Sequence, residues 1–115
     1  MAVTTDEVDL LLSRLREYID SSKCVIAPRY YNKKDGRRIF YLDALVDLDL
    51  TKQEAFSVVR SLRTSDYRKG PEEDRDYPEE GLCIWIFKMT IKGKRAYIKL
   101  KLLETALILS LHEDW

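Results

Sequence analysis

The chain has 115 residues, which fits one domain over residues 1–115, and its 20 acidic and 20 basic residues leave it without formal net charge. It has no apolar run of about 18 residues and no basic segment at the N-terminus, so we expect no membrane-spanning helix, no signal peptide and a cytoplasmic location. Two cysteines and one histidine are too few ligands for a zinc site, and we predict buried structural thiols, no metal and no cofactor.

Two segments have the pattern of amphipathic helices. Thr4 and Glu7 have the spacing of a capping box, and apolar residues then recur at helical intervals, which predicts a helix over residues 5–21. Thr51 and Glu54 repeat this spacing and predict a second helix from residue 51 to about residue 63. Residues 23–41 are predicted as loop that leaves room for short strands.

The last part of the chain combines an acidic segment with three strand-like runs. Residues 70–80 hold six acids, two prolines and Gly70, and we predict a loop there. Residues 82–90, 95–102 and 105–111 are apolar or alternating runs with short connections, which is typical of an antiparallel meander. The predicted fold class is therefore α+β, with two helices of the N-terminal half packed on a C-terminal β-meander.

Strand alternation sorts the predicted strands into two faces. A two-residue turn at residues 103–104 predicts four cross-strand pairs: Lys101 with Ala106, Lys99 with Ile108, Tyr97 with Ser110, and Arg95 with His112. The inner face is predicted to hold Trp85, Phe87, Met89, Ala96, Ile98, Leu100, Leu107, Leu109 and Leu111. The outer face, called the lysine face below, is predicted to hold Lys88, Tyr97, Lys99, Lys101, Ser110 and His112.

The lysine face is a candidate surface for a polyanion. Like charges on neighbouring strands destabilise a sheet by up to about 1 kcal/mol per pair, and phosphates would offset that repulsion. A solvated face that keeps the sheet in solution is the alternative. His112 titrates near neutral pH and suits general acid–base cleavage of RNA, the alternative being an incidental surface histidine. Tyr97 is either part of such a site or an aromatic cover for the sheet edge.

Four stretches between Leu50 and Asp114 point to a known family. They are the helix LTKQEAFSVVRSL, then SDYRKGPEEDRD, IWIFKMTIKGKRAYIKLKL and ALILSLHED. Together they resemble the MqsR family of toxins from type II toxin–antitoxin modules, within the wider RelE/YoeB-like ribonuclease superfamily. The resemblance implies a RelE/MqsR-like fold, metal-independent endoribonuclease activity on mRNA, and a cognate antitoxin protein as partner.

The resemblance also implies the site residues. A lysine after the second helix, and a tyrosine and a lysine on the strands, correspond to Lys69, Tyr97 and Lys99, and the superfamily's terminal histidine corresponds to His112. These four are the predicted catalytic residues. The predicted RNA-binding residues are Lys88, Arg95 and Lys101. The predicted reaction is attack of the ribose 2′-OH on phosphorus, giving a 2′,3′-cyclic phosphate. Asp66, Glu73 and Asp74 are candidates for a carboxylate base, the alternative being an antitoxin-facing or solubilising loop.

Two other classes of function stay open. A non-catalytic module that binds RNA or protein would use the same basic face and tolerate loss of His112. A purely structural domain would leave the lysines solvated and bind no RNA. Nucleotide-binding enzymes are disfavoured, because the sequence has no glycine-rich phosphate loop.

Overall fold

The computed structural model describes residues 3–115, which form an α+β fold of three α-helices and seven β-strands. In chain order these are α1 (Thr5–Asp20), β1 (Cys24–Ile26), β2 (Tyr30–Asn32), β3 (Arg38–Phe40), α2 (Tyr41–Asp47), α3 (Lys52–Arg60), β4 (Tyr67–Glu73), β5 (Leu82–Ile91), β6 (Lys94–Leu102) and β7 (Ala106–Glu113). Single 3₁₀ turns lie at Thr64–Asp66 and Pro78–Glu80. Within residues 3–115, no helix has both the length and the apolar character needed to cross a membrane.

The two predicted helices are confirmed, and their N-terminal caps explain where they begin. The Thr4 hydroxyl accepts a hydrogen bond from the Glu7 N–H at the start of α1. Thr51 and Glu54 form a complete capping box at the start of α3, which satisfies backbone donors that the first helical turn leaves unpaired. The second predicted helix ends at Arg60 rather than near residue 63.

A further helix, α2, was not predicted. Its N-terminus at Phe40 has no side-chain cap, so the usual start signal is missing from the sequence. Its buried residues nevertheless have helical spacing, since Tyr41, Ala44, Leu45 and the following Leu48 lie at i, i+3, i+4 and i+7.

The main sheet has five strands in the order β1-β7-β6-β5-β4. The predicted antiparallel meander of β5, β6 and β7 is confirmed, but β4 adds to it antiparallel and β1 adds parallel to β7. The loop prediction is therefore wrong for residues 70–73, which lie in β4. Charged residues and Pro71 are tolerated there because β4 is an edge strand. Strands β2 and β3 form a separate hairpin.

Gly70 lets β4 approach β5 closely. Its φ of +118° lies outside the range that side chains favour, and a Cβ atom there would lie 2.5 Å from the backbone oxygen of Ile84. Glycine at this position therefore allows the close approach of β4 to β5 between the Lys69–Ile86 and Glu72–Ile84 pairs.

The pairing of β6 with β7 differs from the predicted register in two ways. The connection has three residues, 103–105, so Lys101 pairs with Leu107 instead of Ala106. A bulge then follows, with Leu109 as the extra residue between the Leu100–Ile108 and Lys99–Ser110 pairs. The predicted pairs Lys101–Ala106, Lys99–Ile108, Tyr97–Ser110 and Arg95–His112 are therefore wrong.

The inner face of the sheet packs against the helices. Leu11, Leu12 and Leu15 of α1 join Ala55 and Val59 of α3 in one core with the inner residues of the sheet. Those inner residues include the predicted Phe87, Ala96, Ile98, Leu100 and Leu111, with Trp85 and Met89 partly buried against them. Ala106 and Ile108 take the inward places that had been predicted for Leu107 and Leu109, which instead line the outer face.

Because of the observed register, Ile108 faces the core and the neighbouring Leu109 faces outward, and this difference can be tested. We expect Ile108→Ala to lower the free energy of unfolding by about 2–5 kcal/mol, because Ile108 is fully buried. Leu109→Ala should cost about 1 kcal/mol or less, because the Leu109 side chain is only partly buried. Urea unfolding of the two variants measures the difference, and a larger cost for Leu109→Ala would contradict the register.

Candidate functional site

The lysine face brings together most of the predicted site residues. On the outer side of the sheet, Tyr97 pairs with Lys88 of β5 and with His112 of β7, and Lys99 pairs with Ser110. His112 thus lies directly across from Tyr97, two residues from its predicted partner Arg95. The phenol, the imidazole and the Lys99 ammonium group are side chains of adjacent positions on one surface.

His112 is packed between aromatic rings. Its ring lies 5.2 Å from the Tyr97 ring and 4.0 Å from the Trp115 ring, in both cases nearly parallel. Tyr31 contacts it from a third side at 4.8 Å, and the Tyr31 hydroxyl accepts a hydrogen bond from the Leu111 N–H. The two flat sides of the imidazole are therefore covered, and reactants have access only to its edge.

The environment of His112 sets its protonation state. Burial lowers the pKa of His112 below its ordinary value, against the opposing effects of the Glu113 carbonyl and the Asp114 carboxylate. Nδ1 lies 2.7 Å from the Glu113 carbonyl oxygen, which can only accept a hydrogen bond. Nδ1 therefore holds the proton of the neutral ring, and Nε2 has the free lone pair.

The pKa of Tyr97 is shifted in the opposite direction to that of His112. Burial raises the pKa of the Tyr97 phenol, and Glu72 adds to this effect, whereas Lys69 and Lys88 oppose it. The phenol therefore stays protonated at neutral pH and is available as a hydrogen-bond donor. Lys88 is the strand partner of Tyr97, and Lys69 lines the same cleft.

Most lysines of the site are paired with carboxylates. Lys69 lies 3.2 Å from Glu72, with side chains 66% and 38% exposed, and Lys88 lies 2.9 Å from Asp114. Ion pairs this open to water contribute at most about 1 kcal/mol. Among residues 3–115, Lys99 has no ion pair within 4.0 Å, so its charge is available to a ligand.

Lys101 is held differently. Its Nζ atom lies 2.8 Å from Asp74, 2.7 Å from Glu80 and 4.8 Å from the centre of the Tyr77 ring. Burial alone would lower the pKa of Lys101, but the two carboxylates outweigh it and raise the pKa. Only 9% of Lys101 is exposed, so the predicted open RNA-binding lysine is enclosed by residues 74–80, called the acidic loop below.

A cleft of about 600 Å³ runs over this surface. Its basic and aromatic lining residues are Arg29, Lys69, Arg75, Tyr77, Tyr97, Lys99 and Lys101. Four acids, Glu72, Glu73, Asp74 and Asp76, and four aliphatic residues, Ile84, Ile86, Leu107 and Leu109, complete the lining. The cleft therefore offers an apolar floor beside several cations, although acids of the β4 side offset part of the positive charge.

Four of the candidates do not line the cleft. Lys88 and His112 lie on the lysine face, paired with Tyr97, but outside the cleft lining. Arg95 is exposed and its guanidinium contacts Thr90 at 3.5 Å, outside the cleft lining. Asp66 accepts a hydrogen bond from the Arg63 N–H and closes a 3₁₀ turn. Cys24 and Cys83 are both buried free thiols, as predicted, and burial raises the pKa of Cys24 to about 11.

Five residues of the site were not predicted from the sequence. Trp115 and Tyr31 pack against His112, and Arg29, Arg75 and Tyr77 line the cleft. An aromatic residue three positions after the histidine was a signal for the first. The two arginines come from segments without strand alternation, and they therefore could not be assigned to a face.

Comparison of the chain with protein families, with curated proteins and with solved structures finds no match. The resemblance to the MqsR family therefore stays a prediction. Within residues 3–115, no three side chains of His, Cys, Asp or Glu gather in a way that could hold a metal ion.

The burial of His112 makes stability depend on pH. The pKa of His112 is lower in the folded protein than the value of about 6.5 expected in the unfolded chain. The contribution of neutral His112 to the free energy of unfolding is therefore complete above pH 6.5 and is lost as the pH falls through the folded-state pKa. The total loss is about 1.4 kcal/mol for each pH unit between the unfolded-state and folded-state pKa values. Urea unfolding at several pH values, with His112→Phe as a reference that does not titrate, measures this. A constant difference between the two proteins across the range would contradict it.

Proposed function

We propose that this chain is a metal-independent endoribonuclease with a RelE/MqsR-like fold, acting on mRNA as the toxin of a type II toxin–antitoxin module. The observation that supports this best is the pairing of Tyr97 with His112 across β6 and β7, next to the unpaired Lys99. RNA cleavage through the 2′-OH needs a proton acceptor, a proton donor and positive charge near one phosphate. These three side chains supply one of each.

The opposite pKa shifts of His112 and Tyr97 suit the two proton transfers. Neutral His112 takes the proton of the ribose 2′-OH at Nε2 while the O2′–P bond forms. The P–O5′ bond breaks, and the leaving 5′ oxygen takes the proton of the Tyr97 hydroxyl. The products are a 2′,3′-cyclic phosphate and a free 5′-OH. Groups driven apart in pKa by their surroundings are typical of acid–base pairs.

Lysines balance the negative charge that develops on the phosphate. Lys99 is available without breaking an ion pair, and Lys69 can exchange its exposed pair with Glu72 at small cost. Lys88 lies beside Tyr97 and would bind a neighbouring phosphate after release from Asp114. Positive groups already in place stabilise a transition state by several kcal/mol in such sites.

We also infer the partners and the location of the chain. The substrate would be cytoplasmic mRNA, and a cognate antitoxin protein would silence the toxin until it is released. The acids of residues 72–80 and the basic cleft beside them are the charged surfaces such a partner would meet. Production of the chain alone should stop bacterial growth, and co-production of the antitoxin should restore it.

One observation favours a binding module without chemistry. His112 is covered on both flat sides by Tyr97 and Trp115 and anchored against Tyr31, a setting that also suits a purely structural histidine. In that case the aromatic rings and lysines would bind single-stranded RNA by stacking and charge. The two functions differ in whether His112 is needed for turnover.

We expect the wild type to cleave single-stranded RNA in EDTA and to leave 2′,3′-cyclic phosphate ends. His112→Ala should lower the rate about 10²–10⁴-fold, because it removes the base. Lys99→Ala should lower it about 10²-fold or more, because it removes charge from the transition state. Product analysis by gel and mass spectrometry under single-turnover conditions measures both effects.

The matched control is Lys23→Ala, which removes an exposed lysine between α1 and β1, outside the cleft, and should leave the rate unchanged. The wild-type rate should also fall as the pH drops through the lowered pKa of His112. Full activity in both His112→Ala and Lys99→Ala would refute the site. RNA binding without cleavage, and no growth arrest, would favour the binding module.

A further inference from the structure

The acidic loop encloses Lys101 and supplies the two carboxylates and the aromatic ring that contact its ammonium group. Asp74, Tyr77 and Glu80 all contact the Lys101 ammonium group, and they come from a single stretch of seven residues. Two carboxylate oxygens at 2.8 and 2.7 Å resemble the oxygens that a phosphate would present to the same ammonium group. The loop thus occupies a cation that the lysine face would otherwise offer to RNA.

The position of Lys101 makes this contact relevant to the cleft. Lys101 lies on the same strand and the same face as Tyr97 and Lys99, and all three line the cleft. Ile84, its partner on β5, also faces outward and yet is only 3% exposed. An outward-facing lysine on a sheet is ordinarily solvated, so its burial here comes from what covers this end of the face.

The ion pairs of Lys101 also require the loss of hydration free energy, which the charged groups would recover if the loop opened. Removing an ammonium group and carboxylates from water is unfavourable, and their attraction offsets this only in good geometry. If the loop opened, Lys101, Asp74 and Glu80 would all regain hydration. A phosphate that replaces the two carboxylates on Lys101 would therefore compete with them, and the outcome would depend on salt concentration.

We propose that the acidic loop is an autoinhibitory contact: its carboxylates Asp74 and Glu80 hold Lys101 in place of an RNA phosphate, and RNA must displace them to bind the full length of the cleft. This proposal rests on the proposed function, because it assumes that RNA is the ligand of the lysine face. It adds a regulatory element that sets affinity without taking part in proton transfer.

The test compares two double variants that remove equal charge from the same loop. Asp74→Asn/Glu80→Gln removes the two carboxylates on Lys101. Asp76→Asn/Glu79→Gln removes two acids that make no contact with Lys101. The probe is a 2′-O-methyl RNA dodecamer, which cannot be cleaved because it lacks the attacking hydroxyl. Its dissociation constant is measured by fluorescence anisotropy over a range of salt concentrations.

We expect Asp74→Asn/Glu80→Gln to bind the dodecamer about 3- to 10-fold more tightly than the wild type, with a salt slope steeper by about 0.7, the value for one more phosphate contact on a single strand. The charge-matched control should gain clearly less and keep the wild-type slope. Adding Lys101→Met to the first variant should abolish its gain. Equal gains in the two double variants, or a gain that survives Lys101→Met, would overturn the proposal.

A measurement on the wild type covers the case in which the double variant does not fold, as judged by circular dichroism. Amide hydrogen exchange of residues 75–81 should become faster when the dodecamer binds, because the loop is displaced. Slower or unchanged exchange in the bound state would overturn the proposal.

The results also separate this proposal from the ribonuclease. Cleavage by the wild type without any effect of Asp74→Asn/Glu80→Gln would leave the enzyme and remove the autoinhibition. A gain in dodecamer binding that depends on Lys101, together with no cleavage of ordinary RNA, would leave the autoinhibition and remove the enzyme. Absence of any binding would remove both.

Discussion

The bulge at Leu109 determines which residues of β7 face the core. A regular ladder continued from the Leu100–Ile108 pair would match Ala96 with His112 and Tyr97 with Leu111. The histidine would then point into the leucine core and a leucine would lie on the lysine face. One extra residue reverses this, because it shifts every later side chain of β7 to the opposite face. Burial of Leu111 and exposure of the His112 edge both depend on that shift.

The part of β7 before the bulge contributes to the cleft. Leu107 and Leu109 share the outer face, as residues two apart in a strand do, and they supply half of the aliphatic floor. Ile108 between them fills the core. A sheet face with ammonium groups above aliphatic residues offers charge to a phosphate and apolar surface to a base or another flat group.

Sequence patterns predicted the elements whose signals are local. Thr4 and Thr51 mark the helix starts because a capping hydroxyl and its partner N–H lie within three residues. The antiparallel pairing of β5 with β6 and their inward residues were predicted correctly, because strand alternation places Phe87 and Ile98 on the same apolar face. Strand β4 was not predicted, since its acids and Pro71 are acceptable only at an edge, and edges are a property of the whole sheet.

The candidate site was predicted in part, and two errors in the predicted β6–β7 pairing compensated for each other. A turn one residue too short and a missed bulge each inverted the parity of β7, so His112 was assigned to the correct face although its partner was wrong. The enclosure of Lys101 had no local signal, because Asp74 lies 27 residues before it in the chain. Contacts of that range follow from the fold and are invisible to strand alternation.

The charges of the site and the neutrality of its proton-transfer groups are connected. The aromatic packing that keeps His112 uncharged also removes a cation that would otherwise attract phosphate, and the protonated phenol of Tyr97 supplies none. Attraction of a polyanion therefore depends on the lysines and on Arg29 and Arg75 of the cleft, and among residues 3–115 carboxylates pair with Lys69, Lys88 and Lys101 but not with Lys99. The basic residues would therefore determine the affinity for a polyanion, whereas His112 and Tyr97 would transfer the protons. Changes in the surrounding acids can alter how tightly the face binds a phosphate chain while the geometry of the imidazole and the phenol stays the same.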